Sequence, residues 1–297
     1  MKHIVTLVLL CCAVASVSAA DTIYVHPMAE LGGDGQSWNA PIRTLAIAMA
    51  TAQPGDELWL ASGTFRLGTT LKMKNGVRIY GGFTGDEALR ERRDWFRRPT
   101  ILESSGAASL ISMDDLDSTT RLDGVVLQGA TGSAVVVNGG APVFFNCLFR
   151  NNAGQSGAAI HASGVSRIRM EFCSFVQNTV TADGGAVYLA SIAKDPTYTY
   201  GPFIGECLFD RNTAANGIGG AVCIDSCASI PQIVSSVFAS NSAMYGGAIA
   251  TMRTYLYMTN NTLSRNTLST SGVGAGRSLL LNGGWVQNTI VWGGDAA

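Results

Sequence analysis

The chain has 297 residues, a formal net charge of -1 and only 14% charged residues, against 35 glycines. Near-neutral charge excludes electrostatic steering toward nucleic acid or an anionic membrane surface. So few charges, with abundant Gly, Ala, Ser, Thr, Asn and Val, exclude a fold of long amphipathic helices and fit tightly wound β structure.

Lys2 and His3 precede an apolar run over residues 4–15, and small residues fill positions 16–20. This is the pattern of a secretory signal peptide over residues 1–20, cut after Ala19 or Ala20. About twelve apolar residues fall short of the roughly twenty that a membrane-spanning helix needs, and no later segment qualifies. Residues 21–297 are then expected to form one elongated domain. Five of the 7 cysteines lie there, Cys147, Cys173, Cys207, Cys223 and Cys227, an odd number for an exported chain.

Residues 21–56 read as a strand over 21–26 and a short helix over 41–50, which places Ile42, Leu45 and Met49 on one face. Pro54-Gly55-Asp56 ends the helix and turns the chain into a strand over 57–60. An amphipathic helix here would cover the open apolar end of a solenoid, which such folds require. Less regular coils follow through 77–80, 100–102, 109–113 and 122–127.

From residue 145 onward two motifs recur in phase. Phe149-Arg-Asn-Asn152, Phe175-Val-Gln-Asn178, Phe209-Asp-Arg-Asn212, Phe238-Ala-Ser-Asn241 and Leu263-Ser-Arg-Asn266 are led by apolar residues spaced 26, 34, 29 and 25 apart. Between them stand Gly157-Ala-Ala-Ile160, Gly184-Gly-Ala-Val187, Gly219-Gly-Ala-Val222 and Gly246-Gly-Ala-Ile249. A unit this short cannot bury its own apolar face, but stacked copies can, each strand pairing with the same strand of the next coil about 4.8 Å away. The expected fold is all-β, a single-stranded right-handed parallel β-helix, with Phe149, Phe175, Phe209 and Phe238 stacked inward. Asn152, Asn178, Asn212, Asn241 and Asn266 should bond amide to amide along one turn, in the left-handed backbone that Asn tolerates. Cys147, Cys173 and Cys207, each two residues before a repeat Phe, share its inward face and act as small hydrophobes. A disulfide between neighbouring coils, or one closing Cys223 to Cys227, is the alternative.

Trp38-Asn-Ala-Pro-Ile-Arg-Thr-Leu45 and the run from Ala52 to Phe65 resemble the cap and first coil of secreted bacterial β-helix proteins of the pectate-lyase-like superfamily. Tyr80-Gly-Gly-Phe-Thr-Gly85 and Arg93-Asp-Trp95 resemble a segment of large surface β-helix proteins. The Phe-x-x-Asn and Gly-Gly-Ala repeats are similar to those of polymorphic outer-membrane proteins. The resemblance implies export to the extracellular space or the bacterial cell surface, and partners among polysaccharides or surface proteins. Its members include lyases, hydrolases, isomerases and adhesins on one scaffold. A part of a larger surface protein is a further reading.

Chemistry on such a solenoid requires charged groups gathered on one outward face: a base with a cation for uronate cleavage, or two carboxylates for hydrolysis. In the regular coils the outward charges are few, and Glu171 and Glu206 fall on opposite faces by alignment to their cysteines. Asp210 and Arg211, at the Asn-bearing turn, are the catalytic candidates. Asp114, Asp115, Asp117 and Asp123 form an acidic stretch that could hold Ca2+, with a polar turn as the alternative; no other cofactor or metal site is indicated. The longest repeat carries an insertion at 190–202, whose Lys194, Asp195, Tyr198 and Tyr200 are the ligand-binding candidates, since insertions in repeats project as loops. His26 and His161 stand alone. The expected function is that of a non-catalytic adhesin or passenger module binding glycans or proteins, with an even, charge-poor surface; the alternative is a polysaccharide lyase or hydrolase acting on an acidic polysaccharide, with a charged groove.

Overall fold

The computed structural model describes residues 20–164, 167–192, 199–269 and 276–293. Residues 1–19 of the expected signal peptide lie outside them. The chain winds as a right-handed parallel β-helix. Among the described residues, four parallel sheets of 10, 8, 9 and 5 strands run along its sides.

The ten-stranded sheet begins with Thr22–Val25 and ends with Gly284–Gln287, and every rung joins residues about one coil apart in sequence. Its inward column runs Leu58, Ile79, Leu122, Phe144, Met170, Ile204, Ile233 and Met258. In the nine-stranded sheet the inward column is Leu102, Leu127, Phe149, Phe175, Phe209, Phe238 and Leu263. The Phe175, Phe209 and Phe238 rings stack with centroids 4.6 Å apart and nearly parallel planes. Offset-parallel ring contacts add to the burial of each ring.

The Asn ladder forms as the repeat predicts. Asn152, Asn178, Asn212, Asn241 and Asn266 are all buried, and each of the first four donates its side-chain amide to the next carbonyl at 3.0 Å. The backbone N–H of each also reaches that same oxygen at 2.9–3.2 Å. One expectation is corrected here. The left-handed residue is not the ladder Asn but the one before it: Asn151, Gln177, Arg211, Ser240 and Arg265 have φ between 52 and 56°. An inward Asn must already have turned the corner to bond its neighbours, so the residue before it makes the turn.

Left-handed corners at Asn146, Phe172 and Ser235 likewise break the β-rich stretches before each repeat Phe. A third corner explains the Gly-Gly-Ala motif. Gly184 has φ +64°, and a Cβ there would lie 2.3 Å from the Val187 carbonyl oxygen, while a Cβ on Gly185 would meet the Gly220 carbonyl at 2.0 Å. The first glycine is needed for the turn and the second for the close approach of the next coil.

Helix Leu45–Thr51 is shorter than the sequence suggests. It is capped at Thr44, whose hydroxyl accepts the Ile47 N–H, and buries Leu45, Ala48 and Met49. Ile42 lies before it, on a bridge to Val25, and is also buried.

The five cysteines of the described residues are free and buried, and no disulfide forms among them. Cys147, Cys173 and Cys207 occupy successive rungs of one inward column, continued by Ser236 and Asn261. The Ser236 hydroxyl accepts from the Cys207 N–H at 3.1 Å, and the Asn261 side chain accepts from the Ser236 N–H at 2.9 Å. Burial pushes the Cys147 and Cys173 thiols well above their ordinary range. Cys223 and Cys227 belong to one strand, Val222–Cys227, with a left-handed residue at Ser226 between them, and both are free. No helix among the described residues is long and apolar enough to cross a membrane.

Candidate functional site

In the ten-stranded sheet, residues alternate between core and outside. One outward column reads Glu57, Arg78, Arg121, Val143, Arg169, Phe203, Gln232 and Tyr257; two residues further along each strand the other reads Trp59, Tyr80, Asp123, Phe145, Glu171 and Gly205. Two short motifs, Arg121-Leu-Asp123 and Arg169-Met-Glu171, therefore occupy equivalent positions two coils apart.

Around them is a trough. Its larger section, with a volume of about 670 Å³, is lined by Asp115, Asp117, Arg121, Arg167, Arg169 and Glu171. A smaller section of about 280 Å³ shares Arg167 and Arg169 and adds Thr199, Tyr200, Phe203 and Gln232. From the rung of Arg121 to that of Gln232 there are four inter-strand steps, about 19 Å at roughly 4.8 Å each.

The guanidiniums lie on aromatic rings. Arg121 Cζ is 5.0 Å from the Phe145 centroid and Arg169 Cζ is 4.8 Å from that of Phe203. Arg169 donates from Nε at 2.9 Å and Nη2 at 2.7 Å to a single oxygen, Glu171 Oε1. Nη1 and Oε2 are left without a bond among the described residues. Asp123 plays a different part. It is buried, accepts from Arg93 at 2.7 Å and from the Asn146 amide at 3.0 Å, and so fixes the floor rather than facing a ligand.

The acidic stretch does not converge. Asp114 faces Lys72 at 3.3 Å and the Asn138 amide at 2.9 Å, Asp117 faces Asn75 and Thr119, and Asp123 is held by Arg93. The Thr119 hydroxyl first, then the Asn75 amide, holds the Asp117 carboxyl below its usual range.

Of the sequence candidates, Tyr200 opens strand Tyr200–Gly205, lines the trough and is 48% exposed. Lys194, Asp195 and Tyr198 lie outside the described residues. Asp210 ends strand Leu208–Asp210 of the nine-stranded sheet and Arg211 is the left-handed corner after it; they pair with each other at 2.8 Å and do not line the trough. Glu171 and Glu206 fall in different columns, as alignment indicates, because Glu206 is a left-handed corner residue. His161 rests against Tyr188 with centroids 5.2 Å apart and bonds the Ser156 carbonyl through Nδ1.

The few outward charges of the regular coils that lie here, Arg167, Arg169 and Glu171, are joined on this face by Asp115, Asp117 and Arg121 of the earlier coils. Arg121 lies before the regular repeats begin, so only the register shows that it shares a column with Arg169. The recurrence of Arg-x-Asp and Arg-x-Glu was the signal that could have revealed it.

No family model matches the sequence, and no curated protein is similar to it. Among solved structures, a rhamnogalacturonan lyase is similar over 83% of this chain and 69% of its own, with a TM-score of 0.54 and 10% identity. A pectate lyase matches over 95% and 80%, with a TM-score of 0.46 and 15% identity. The pectin methylesterase from Aspergillus niger matches over 94% and 87%, with a TM-score of 0.43 and 14% identity. At such identities the likeness is one of fold: the chain winds as the lyase does.

Proposed function

We propose that this is an exported β-helix protein that acts on polysaccharide, and that it takes an acidic glycan along the trough of the ten-stranded sheet. The observation that supports this most directly is the pair of guanidiniums, Arg121 and Arg169, laid on Phe145 and Phe203 beside Glu171. A guanidinium fork matches a carboxylate in two parallel bonds, which suits a uronate. Flat rings such as Tyr200 and Phe203 suit the apolar face of a sugar, and the carboxylates of Asp115, Asp117 and Glu171 suit its hydroxyls. Lys194, Asp195 and Tyr198, in the insertion before Tyr200, are proposed as further ligand-binding residues.

Three arginines and three carboxylates in one trough depart from the even, charge-poor surface of an adhesin and favour a second, more specific reading. In it the bound glycan is cleaved, an arginine neutralising the uronate while a neighbouring group moves the proton. Calorimetric titration with oligogalacturonate and with neutral xylo-oligosaccharide tests binding. Binding of the acidic oligomer alone, weakened at least about tenfold by Arg169→Ala, the scale of one lost charged hydrogen bond, is expected. Equal or absent binding of both would refute the assignment. Ultraviolet-absorbing unsaturated products, or new reducing ends, separate a lyase and a hydrolase from a binder.

A further inference from the structure

At the N-terminal end of the described residues the sheets start at different points of the first coil. Strand Thr22–Val25 covers the ten-stranded sheet, but Gly63–Leu67 is the first strand of the nine-stranded sheet and Leu71–Lys72 the first of the eight-stranded one. Among the described residues each is paired on one side only. Helix Leu45–Thr51 packs nearby without covering Gly63–Leu67, and leaves a groove of about 690 Å³.

The ladder shows which backbone groups the open edge presents. Gly63 pairs with Thr100 and Leu67 with Ser104; Gly63 donates its N–H to the Pro99 carbonyl, and the Leu67 carbonyl accepts from Ser105. In a parallel pair, alternate residues bond the same neighbour. Gly63, Phe65 and Leu67 therefore face the sheet, and the N–H and C=O of Thr64 and Arg66 face the groove. An edge of this kind is a template for another strand.

The groove also has a sided chemistry. Its floor is apolar, with Leu45, Met49, Phe65, Leu67 and Leu71 all buried. Its rim carries Arg43, Arg66, Lys72 and Lys74 and no carboxylate. Arg66 and Lys72 make only exposed pairs, with Glu103 at 3.4 Å and Asp114 at 3.3 Å, which bind weakly. Arg43 has no ion pair among the described residues.

We infer that the open edge of Gly63–Leu67 takes an extended peptide segment of a partner protein by strand addition, with alternating apolar and acidic residues. Side chains of an added strand alternate as those of Gly63–Leu67 do, so its inward residues meet the apolar floor and its outward ones meet Arg43, Arg66 and Lys72. Five residues at roughly 3.3 Å each match the length of the edge. A glycan has no matching row of alternating N–H and C=O groups.

The test uses fluorescein-labelled Val-Glu-Val-Glu-Val-Glu, titrated against the chain by fluorescence anisotropy, beside a peptide with Lys in place of Glu. Saturable binding of the acidic peptide alone is expected. Thr64→Pro, which removes an N–H facing the groove and not the sheet, and Arg66→Glu, which turns attraction into repulsion, should each weaken it at least about threefold, the scale of one lost net hydrogen bond. Should Thr64→Pro disturb the unfolding transition, an acidic peptide N-methylated at the alternate residues that face the edge, tested on the wild type, must bind at least about tenfold more weakly, since it cannot donate to the Thr64 and Arg66 carbonyls. The inference is overturned by absent binding, by equal binding of the Lys peptide, by variants that bind as the wild type does, or by displacement with oligogalacturonate.

Discussion

Asn212 is the position at which the ladder is most completely determined, and Asn212→Ala isolates its contribution. The side-chain amide donates to the Phe175 carbonyl at 2.9 Å and the Asn241 oxygen at 3.0 Å, while its oxygen accepts from the backbone and side chain of Asn178, both at 3.0 Å. Truncation leaves the Asn241 oxygen with the Asn212 N–H, 2.9 Å away. The two Asn178 donors and the Phe175 carbonyl lose a partner in a site without solvent. At about 1–3 kcal/mol per buried orphan, a loss of about 3–6 kcal/mol follows, allowing for partial relaxation. Asn212→Asp keeps the shape but sets a carboxylate against two acceptors, so at pH 7 it should cost more than the alanine. Burial raises that carboxyl's folded-state pKa, so the extra cost should fade as pH falls and the group protonates. Urea unfolding with amide exchange at Phe175, Asn178 and Asn241 reads both effects. Since stacked repeats can open locally, exchange is the more direct measure. A loss under about 1 kcal/mol, below the cost of one buried orphan, or an aspartate milder than alanine at pH 7, would refute the reasoning.

The same packing predicts that Phe209→Ala costs about 3–5 kcal/mol, and Phe209→Leu clearly less, by chemical denaturation, because the former leaves a cavity between Phe175 and Phe238. Burial lifts the Cys227 thiol to about 11 and pushes Cys223 further up, and thiolates are the reactive form. Mass spectrometry of the native protein treated with iodoacetamide at pH 8 should find Cys147, Cys173, Cys207, Cys223 and Cys227 unmodified, and all five modified after unfolding; labelling of the native cysteines would contradict the packing. Asp117 is held low by Thr119 and Asn75, and Asp114 by Asn138 and Lys72. A lowered folded-state pKa gives stability that is present above the ordinary carboxyl pKa of about 3.9 and lost as pH falls through the folded value. Asp117→Asn should therefore be the less stable protein at pH 7, with the gap closing below about pH 4; thermal unfolding across pH checks this.

Most of the solenoid was legible because its stabilising contacts are repeated. A Phe every coil and an Asn three residues later can have one explanation in common, and the stacked rings and amide chain supply it. What stayed hidden was the phase of the backbone. The sequence marks Asn152 and Asn178 as turn residues, but nothing in Arg211 or Gln177 announces a left-handed corner, since neither type favours it. These residues hold that conformation because the ladder on one side and the strand on the other fix both neighbours. The second glycine of each Gly-Gly-Ala shows the same dependence: its reason is the carbonyl of the next coil, which is remote in sequence.

The trough was hidden for a related reason. Repeats reveal themselves where residues are identical from coil to coil, and ligand contacts arise where they differ. Arg121, Val143, Arg169, Phe203 and Gln232 share one column with no residue type in common between neighbours. Their side chains are outside the core, so packing does not select them. Inward, the same rungs carry Leu122, Phe144, Met170, Ile204 and Ile233, all within the apolar core. A varied outward column on a uniform inward one is what a scaffold shaped for an extended, irregular ligand should display. Under the proposed function, the polarity of Arg121 and Arg169 beside Phe145 and Phe203 favours acidic glycans over neutral ones as the ligand.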